Sequence, residues 1–380
     1  MSLCIINIRL RRSRSIEYPP IAVDFHTHST IVISNKVGPA AFVHGPAFVS
    51  AAVILVQLKN MESYTKPFLT IDQQLDLIAG RGLDIGDRDY AADCLKNIGY
   101  YRLSGYWYPL RESALVENES GVTKRVVGDA YRSGATFSQV IDIYTYDKHL
   151  RLLMLDALER IEIALRTDIT LQLGQYGPWA YRDGEVLDQR FVHKVNPGFT
   201  ESQFTTFVNR FDGMAERSKS DFVDHFREKY SDPLPMWAAV ELWDFGMLSV
   251  FISGMKYKDK RAIAQRYNVP PEILPSWVRM LADVRNICAH HGRLWNRTLV
   301  SQPKLAKLQV AELQHLSDGF AQQKIYSAVA IARYMQGVLN PTSTWADSII
   351  SLNESFPDAP GIALKQMGYP AEWKNEDLWQ

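Results

Sequence analysis

The sequence predicts an all-α protein, because three observations favour helices over strands. Apolar residues recur at three- and four-residue steps along a long segment, and alternating strand patterns are scarce. N-capping residues and glycines also bound the main apolar segments. The apolar stripe of the longest segment consists of Leu155, Leu158, Ile161, Leu165 and Ile169. No repeat of 20–50 residues is apparent, so we predict a helical bundle with one dominant core.

The first two helices are predicted from their boundary residues. Thr70 is a typical N-cap, Gln73 occupies the capping-box position, and the glycines of 80–82 end the helix. A second helix covers about 88–97 and stops at Gly99.

The chain beyond residue 110 is also predicted to be mainly helical. Residues 111–136 are polar and contain glycine, so they are expected to form a loop or a small excursion. A long helix follows from Phe137 to Leu173 and ends at Gly174. Further helices are predicted over about 201–218, 220–230, 236–255, 258–267, 275–290 and 321–336.

The first sixty residues differ from the rest of the chain. They contain a basic run and a loose apolar stretch, and no methionine lies between Met1 and Met61. Because the organised pattern begins after Met61, we predict that this residue is the biological start, or that 1–60 is a poorly ordered extension. The remaining chain is divided into an N-terminal helical subdomain (61–136), a helical core (137–340) and a C-terminal docking tail (341–380).

Composition excludes several classes of protein. Forty-two basic residues balance 42 acidic ones, so the chain is not a general polycation. Residues 1–60 hold six Lys/Arg and two Asp/Glu, which leaves 36 basic and 40 acidic residues for 61–380. Three scattered cysteines argue against a disulfide framework or zinc site, and they favour a reducing cytoplasm. No run of 18 apolar residues predicts a membrane helix, so we expect no membrane partner.

The strongest chemical signal lies at the end of the helix predicted over 275–290. Arg285 and His290 are separated by four residues there, and Asn286 and His291 lie beside them. The stretch 284–311 has no carboxylate and five basic residues: Arg285, Arg293, Arg297, Lys304 and Lys307. Such a local field in a net acidic body suits a phosphodiester.

These residue types suffice for RNA cleavage without a metal ion. A histidine can move the proton of a ribose 2′-hydroxyl near neutral pH. An arginine can hold the scissile phosphate and stabilise its transition state. We therefore assign Arg285, His290, Asn286 and His291 as catalytic candidates, and we expect no metal and no small-molecule cofactor. Arg293 and Arg297 are assigned to RNA binding.

The spacing raises a geometric difficulty. On an ideal helix Arg285 and His290 lie about 140° apart, whereas Asn286 and His290 share a face. Arg285 must reach around, or the helix must end early at Gly292, or a second subunit must complete the site. A competing interpretation is that the cations answer the helix dipole and that His291 packs on the apolar stripe.

Two further groups of residues are candidates for the site. Tyr101 and Arg102 belong to an aromatic cluster that could stack unpaired bases, although packed core is the more frequent role of such clusters. Glu162 and Arg166 lie near Glu159 on one side of the long helix and could orient the catalytic residues or form an internal ion pair. Glu241 or Asp244, one turn apart in the helix predicted over 236–255, could also approach the site.

An H-x-H pair, His26 and His28, follows a short apolar segment. Some metal-dependent hydrolases begin in this way, but they need more ligands and repeated strand–helix units downstream. We therefore predict no metal site here.

Several motifs in order resemble the Abi (abortive infection) proteins of bacteria, specifically the AbiD/AbiF-like group of the HEPN superfamily. These motifs are KPFLTIDQQL (66–75), RGL (81–83), NIGYYRLSGYWY (97–108), ERIEIALRT (159–167), WAAVELW (237–243), RNICAHHGRLWN (285–296) and MGYPAEW (367–373). The resemblance implies a HEPN-type helical core and an R-x(4–6)-H ribonuclease signature at Arg285 and His290. It also implies a role in phage defence or as a toxin.

The leading hypothesis is a cytoplasmic, metal-independent endoribonuclease of antiviral defence. Because one motif supplies one histidine, a homodimer with two facing motifs is expected. The alternatives are a HEPN-fold protein that holds a structured RNA without cutting it, and a toxin-like subunit controlled by a partner RNA or protein.

Overall fold

The computed structural model describes residues 64–117, 121, 123–305, 310–317 and 319–380, together with the backbone of 22–24 and 32–34. The chain forms two units, Met1–Phe68 and Leu69–Gln380. In the first unit β1 (Ala22–Asp24) pairs antiparallel with β2 (Val32–Ser34). The predicted start at Met61 and the histidines His26 and His28 lie outside the described residues.

The second unit begins with three helices. They are α1 (Ile71–Gly80), α2 (Arg88–Ile98) and α3 (Tyr100–Trp107). The predicted capping box is confirmed, because Thr70 and Gln73 exchange hydrogen bonds between side chain and backbone. The sequence did not predict α3, which begins directly after Gly99 (φ 92°) ends α2.

A β-hairpin occupies most of the segment 111–136. Strand β3 (Arg111–Glu117) pairs antiparallel with β4 (Thr123–Tyr131), and the register shifts between Arg111 and Ser113. Its pairing satisfies backbone groups that a polar, glycine-containing segment would otherwise leave to water. It is the small excursion that the composition of this segment suggested.

The central helix α4 (Phe137–Leu173) has the predicted boundaries. Its predicted stripe is confirmed at Leu158, Ile161, Leu165 and Ile169, which are fully buried, whereas Leu155 is partly buried. The remaining helices are α5 (Gln189–His193), α6 (Gln203–Arg217), α7 (Asp221–Lys229), α8 (Met236–Ala239), α9 (Phe245–Gly254), α10 (Tyr257–Arg266), α11 (Leu274–Ala289), α12 (Gly319–Gln322), α13 (Ile325–Leu339) and α14 (Trp345–Glu354).

Helices that precede and that follow α4 in the sequence pack around it. They include α3, α10, α11, α13 and α14. The prediction of an all-α protein is confirmed, since the hairpin β3–β4 is the single sheet described in the second unit. No helix in the described part of the chain is long and apolar enough to cross a membrane.

The single helix predicted over 236–255 is wrong. Helix α8 ends at Ala239, a 3₁₀ turn covers Val240–Leu242, and α9 starts after Asp244. The Asp244 carboxylate accepts the backbone N–H of Met247 at 2.8 Å, so it acts as an N-cap. Capping favours a new helix over continuation of the old one.

The chain end after α14 packs on the segment 311–317 and on α13. Trp373, Leu378 and Trp379 are buried, and the indole N–H of Trp379 donates to the Tyr326 hydroxyl at 3.2 Å. The same hydroxyl lies 2.8 Å from Nε2 of His315. The division at residues 137 and 341 itself stays a prediction.

Acidification is expected to loosen this docking. Burial lowers the pKa of His315, while Glu376 acts in the opposite direction. Below about pH 6.5 the unfolded chain therefore binds a proton that the folded chain does not, so stability is lost as the pH falls from there. His315→Gln should show a smaller fall in melting temperature between neutral pH and about pH 5.5. Equal pH dependence in both chains would contradict this assignment.

Candidate functional site

The site is built on the C-terminal end of α11. The backbone N–H of Gly292 donates to the Ile287 carbonyl at 2.8 Å, and the N–H of His291 donates to Cys288 at 3.0 Å. This pair of bonds is a Schellman motif, with His291 at the left-handed position (φ 55°). The helix thus ends at Ala289, earlier than Gly292, and His290 is its C-cap.

The early end of α11 changes the surroundings of both histidines. His290 and His291 are exposed. The imidazole of His290 has no hydrogen-bonding partner among the described residues. The competing expectation that His291 packs on the apolar stripe is therefore wrong, because the left-handed turn directs the chain away from the helix face that carries Cys288.

Arg285 is held by a carboxylate of the central helix. Its Nε lies 3.5 Å from Oε2 of Glu162, and its Nη1 donates to the Asn286 amide oxygen at 3.2 Å. Glu162 is buried and also accepts from Nη2 of Arg166 at 2.7 Å. Two arginines from different parts of the chain thus share one carboxylate. Glu162 forms the internal ion pair with Arg166 and also contacts the catalytic candidate Arg285.

Burial raises the pKa of Glu162, although Arg166 and Arg285 act to lower it. Perturbed pKa values occur at functional sites and also in structural ion-pair networks, so the contact with Arg285, rather than the pKa, makes Glu162 a candidate for the site.

The two carboxylates that the sequence placed in one helix have different roles. Glu241 lies 3.6 Å from Nη1 of Arg166, so it joins Glu162, Arg166 and Arg285 in one charged group, the Glu162 cluster. Asp244 caps α9 and pairs with Arg210. Glu159 is exposed.

Helix α3 contacts the segment that follows α11. Arg102 donates to the carbonyl of His291 at 2.6 Å, and Arg293 donates to the carbonyl of Gly105. These residues were expected to bind RNA, and the structure gives both of them bonds to backbone carbonyls. The side chain of Tyr101, in contrast, is 91% exposed.

The other members of the aromatic cluster divide between core and surface. Tyr106 and Trp107 are buried, and Tyr100 packs edge-on against Trp107 at 4.9 Å between ring centroids. Tyr108 is half exposed. Packing therefore explains most of the cluster, and Tyr101 remains available for a ligand.

Sequence reasoning missed Asp147 and Arg151. Both are buried on the stripe of α4, where Arg151 donates to the Asp147 carboxylate. Asp147 also accepts the backbone N–H groups of Leu294 and Trp295. The available signal was an Asp/Arg pair four residues apart on an apolar stripe, because a buried charge requires a partner.

Some of the basic side chains that follow α11 are exposed. Arg297 and Lys304 are on the surface, and Arg293 is half-buried. Lys307 lies outside the described residues. Among the residues that the structure describes, no group of three or more His, Cys, Asp or Glu is arranged to hold a metal ion.

The arrangement provides one exposed imidazole and one guanidinium at the same helix end. The first can transfer a proton, and the second can bind a phosphate through N–H groups that Glu162 and Asn286 do not use.

The part of the chain that contains these residues matches a known protein family. A family model described as "Abi-like protein" matches residues 93–296. This span contains α3, the Glu162 cluster and the catalytic candidates. No curated protein and no solved structure gives a significant match.

Proposed function

The chain belongs to the Abi-like protein family, and from this premise we propose that it is an abortive-infection protein that defends bacteria against phage by cleaving RNA in the cytoplasm. The proposal includes the AbiD/AbiF-like type, a HEPN-type core and an endoribonuclease that needs no metal ion.

One observation carries the proposal: the exposed imidazole of His290 has no partner among the residues that the structure describes, and it lies at the same helix end as Arg285, which pairs with Glu162. His290 takes the proton of a 2′-hydroxyl, and the resulting oxygen attacks the adjacent phosphorus. Arg285 stabilises the extra charge on the phosphate. The bond to the 5′-oxygen then breaks, that oxygen takes a proton from water or from a second, protonated imidazole, and a 2′,3′-cyclic phosphate remains.

The direct experiment is cleavage of labelled RNA by the purified protein with EDTA present. The expected products end in 2′,3′-cyclic phosphate and 5′-hydroxyl, and Arg285→Ala should lack the activity. Products with a 3′-hydroxyl and a strict requirement for Mg²⁺ would overturn the mechanism. Tight RNA binding without cleavage would favour the non-catalytic alternative.

A homodimer would complete the chemistry. Attack by the 2′-hydroxyl benefits from both a base and an acid, whereas His290 is one imidazole. Two large apolar side chains close in sequence to the Glu162 cluster are half exposed: Ile163, which follows Glu162, at 52%, and Trp237, four residues before Glu241, at 53%. A two-fold interface covering them would bring two Arg285–His290 motifs toward one RNA cleft.

Mixing two inactive chains tests the shared site. We expect Arg285→Ala and His290→Ala chains to regain part of the activity when mixed, because the shared cleft of a mixed dimer still contains one Arg285 from one chain and one His290 from the other. Mass measurement in solution should give a dimer. A monomer that cleaves at full rate at nanomolar concentration would contradict the shared cleft while leaving the single-motif nuclease in place.

A further inference from the structure

We propose that Asp147 is a positioning residue for the cleavage site: its buried carboxylate fixes the segment after α11 and thereby sets the place of His290. This inference rests on the proposed function. It concerns a residue that contacts neither His290 nor Arg285 in any bond described above.

The Asp147 carboxylate accepts hydrogen bonds from four residues among those that the structure describes. It is fully buried, and Oδ1 accepts the N–H groups of Leu294 at 3.1 Å and Trp295 at 2.6 Å. Oδ2 accepts the Tyr106 hydroxyl at 2.7 Å and pairs with Arg151. One side chain of α4 therefore ties together α3 and the segment that follows α11.

The segment after α11 requires such support. It contains two non-glycine residues in the left-handed region, His291 (φ 55°) and Asn296 (φ 51°), and Leu294 and Trp295 lie between them. Residues in this region carry backbone strain and persist where their surroundings over-determine them. Arg102 holds the segment at His291, Arg293 attaches it to Gly105, and Asp147 holds it at its centre.

The Asp147 carboxylate therefore influences the position of His290 in two ways. It holds the residues that follow His290, and through Tyr106 it holds the helix whose Arg102 binds the carbonyl of His291. Replacement of the carboxylate by an amide would turn one of its two acceptor oxygens into a donor, so the two N–H groups of the segment would compete with Arg151 and the Tyr106 hydroxyl for one acceptor, and the left-handed turn would loosen. A displacement of about 1 Å in a reacting group can cost on the order of 100-fold in rate.

The molecule contains a matched control on the same helix. Asp168 of α4 accepts the Tyr267 hydroxyl at 2.8 Å and pairs with Arg266, so it forms the same Asp–Arg–Tyr chemistry. Its side chain is 9% exposed, and its described partners lie in and after α10. Asp168 makes no described bond to the segment 290–297.

The experiment compares Asp147→Asn with Asp168→Asn in the full-length chain. Both variants remove one charge beside an arginine and a tyrosine, so both should lower the melting temperature. Asp147→Asn should also lower kcat on RNA by on the order of tenfold or more with KM changed less than about twofold. Asp168→Asn should keep the kcat of the wild type.

Hydrogen exchange supplies a readout that is independent of cleavage. The amides of Leu294 and Trp295 should exchange faster in Asp147→Asn and at the wild-type rate in Asp168→Asn. If the wild-type protein does not cleave RNA, the proposed function fails, and the exchange comparison still decides whether Asp147 fixes the segment. Equal kcat and equal exchange in the two variants would overturn the positioning role.

A gentler pair of variants covers the case in which Asp147→Asn does not fold. Tyr106→Phe removes one hydroxyl donor to Asp147, and Tyr267→Phe removes the corresponding donor to Asp168. We expect a smaller loss of kcat and faster exchange of Leu294 and Trp295 in Tyr106→Phe alone. The same kcat and exchange in both tyrosine variants would overturn the inference as well.

Discussion

Replacing His290 by alanine is expected to abolish RNA cleavage and to leave the fold intact. General acid–base groups contribute about 10²- to 10⁴-fold to rates, so the variant should cleave RNA more slowly than the wild type by at least that factor. The imidazole is exposed and without a partner among the described residues, so the free energy of unfolding should change by less than about 0.5 kcal/mol. Cleavage rates and urea unfolding of the same preparation measure both effects.

The matched control is His225→Ala. His225 is also exposed, but it lies in α7 rather than at the end of α11. This variant should keep both cleavage and stability. A His290→Ala chain that cleaves at the wild-type rate would exclude His290 as the proton-transfer group.

Glu162→Gln is expected to impair cleavage and also to lower stability. Glutamine keeps the size of the side chain, but Arg166 and Arg285 lose a buried counter-charge, so the free energy of unfolding should fall by about 1 to 3 kcal/mol. Arg285, however, loses the charged partner that holds its Nε at 3.5 Å. The rate should therefore fall on the order of 10- to 100-fold. Single-turnover cleavage and urea unfolding separate the two effects.

Glu159→Gln is the control for this second prediction. Glu159 is an exposed carboxylate nearly one turn before Glu162 on the same helix. Its neutralisation should change neither the rate nor the stability beyond about 0.5 kcal/mol. If Glu162→Gln cleaves as fast as Glu159→Gln, the ion pair with Arg285 has no part in the reaction.

Much of the fold is encoded locally, and the sequence predicts that part well. Helix α4 begins and ends at the predicted residues, because apolar periodicity and a terminal glycine act over a few positions. The capping box at Thr70 and the stop at Gly99 are local in the same way. The all-α class follows from such patterns.

Local patterns were insufficient where side chains compete to start or stop a helix. Asp244 caps α9 and divides the segment 236–255 in two, although its apolar residues continue on both sides. The helix predicted over 275–290 is α11 (Leu274–Ala289), but the pattern did not predict that His291 adopts the left-handed conformation that glycine or asparagine usually takes. The packing expected for His291 was wrong for this reason.

The sequence by itself determined the fold class, about half of the boundaries of the described helices and the residue types that point to RNA chemistry. The tertiary structure alone decided which carboxylate meets Arg285 and which side chain holds the segment after α11. Asp147 and Leu294 are 147 residues apart in sequence, so no local period relates them. A charged residue at a buried position of the sequence pattern indicates that a partner is required. Only the packing of α3 and α11 on α4 determines which groups come close enough to bind it.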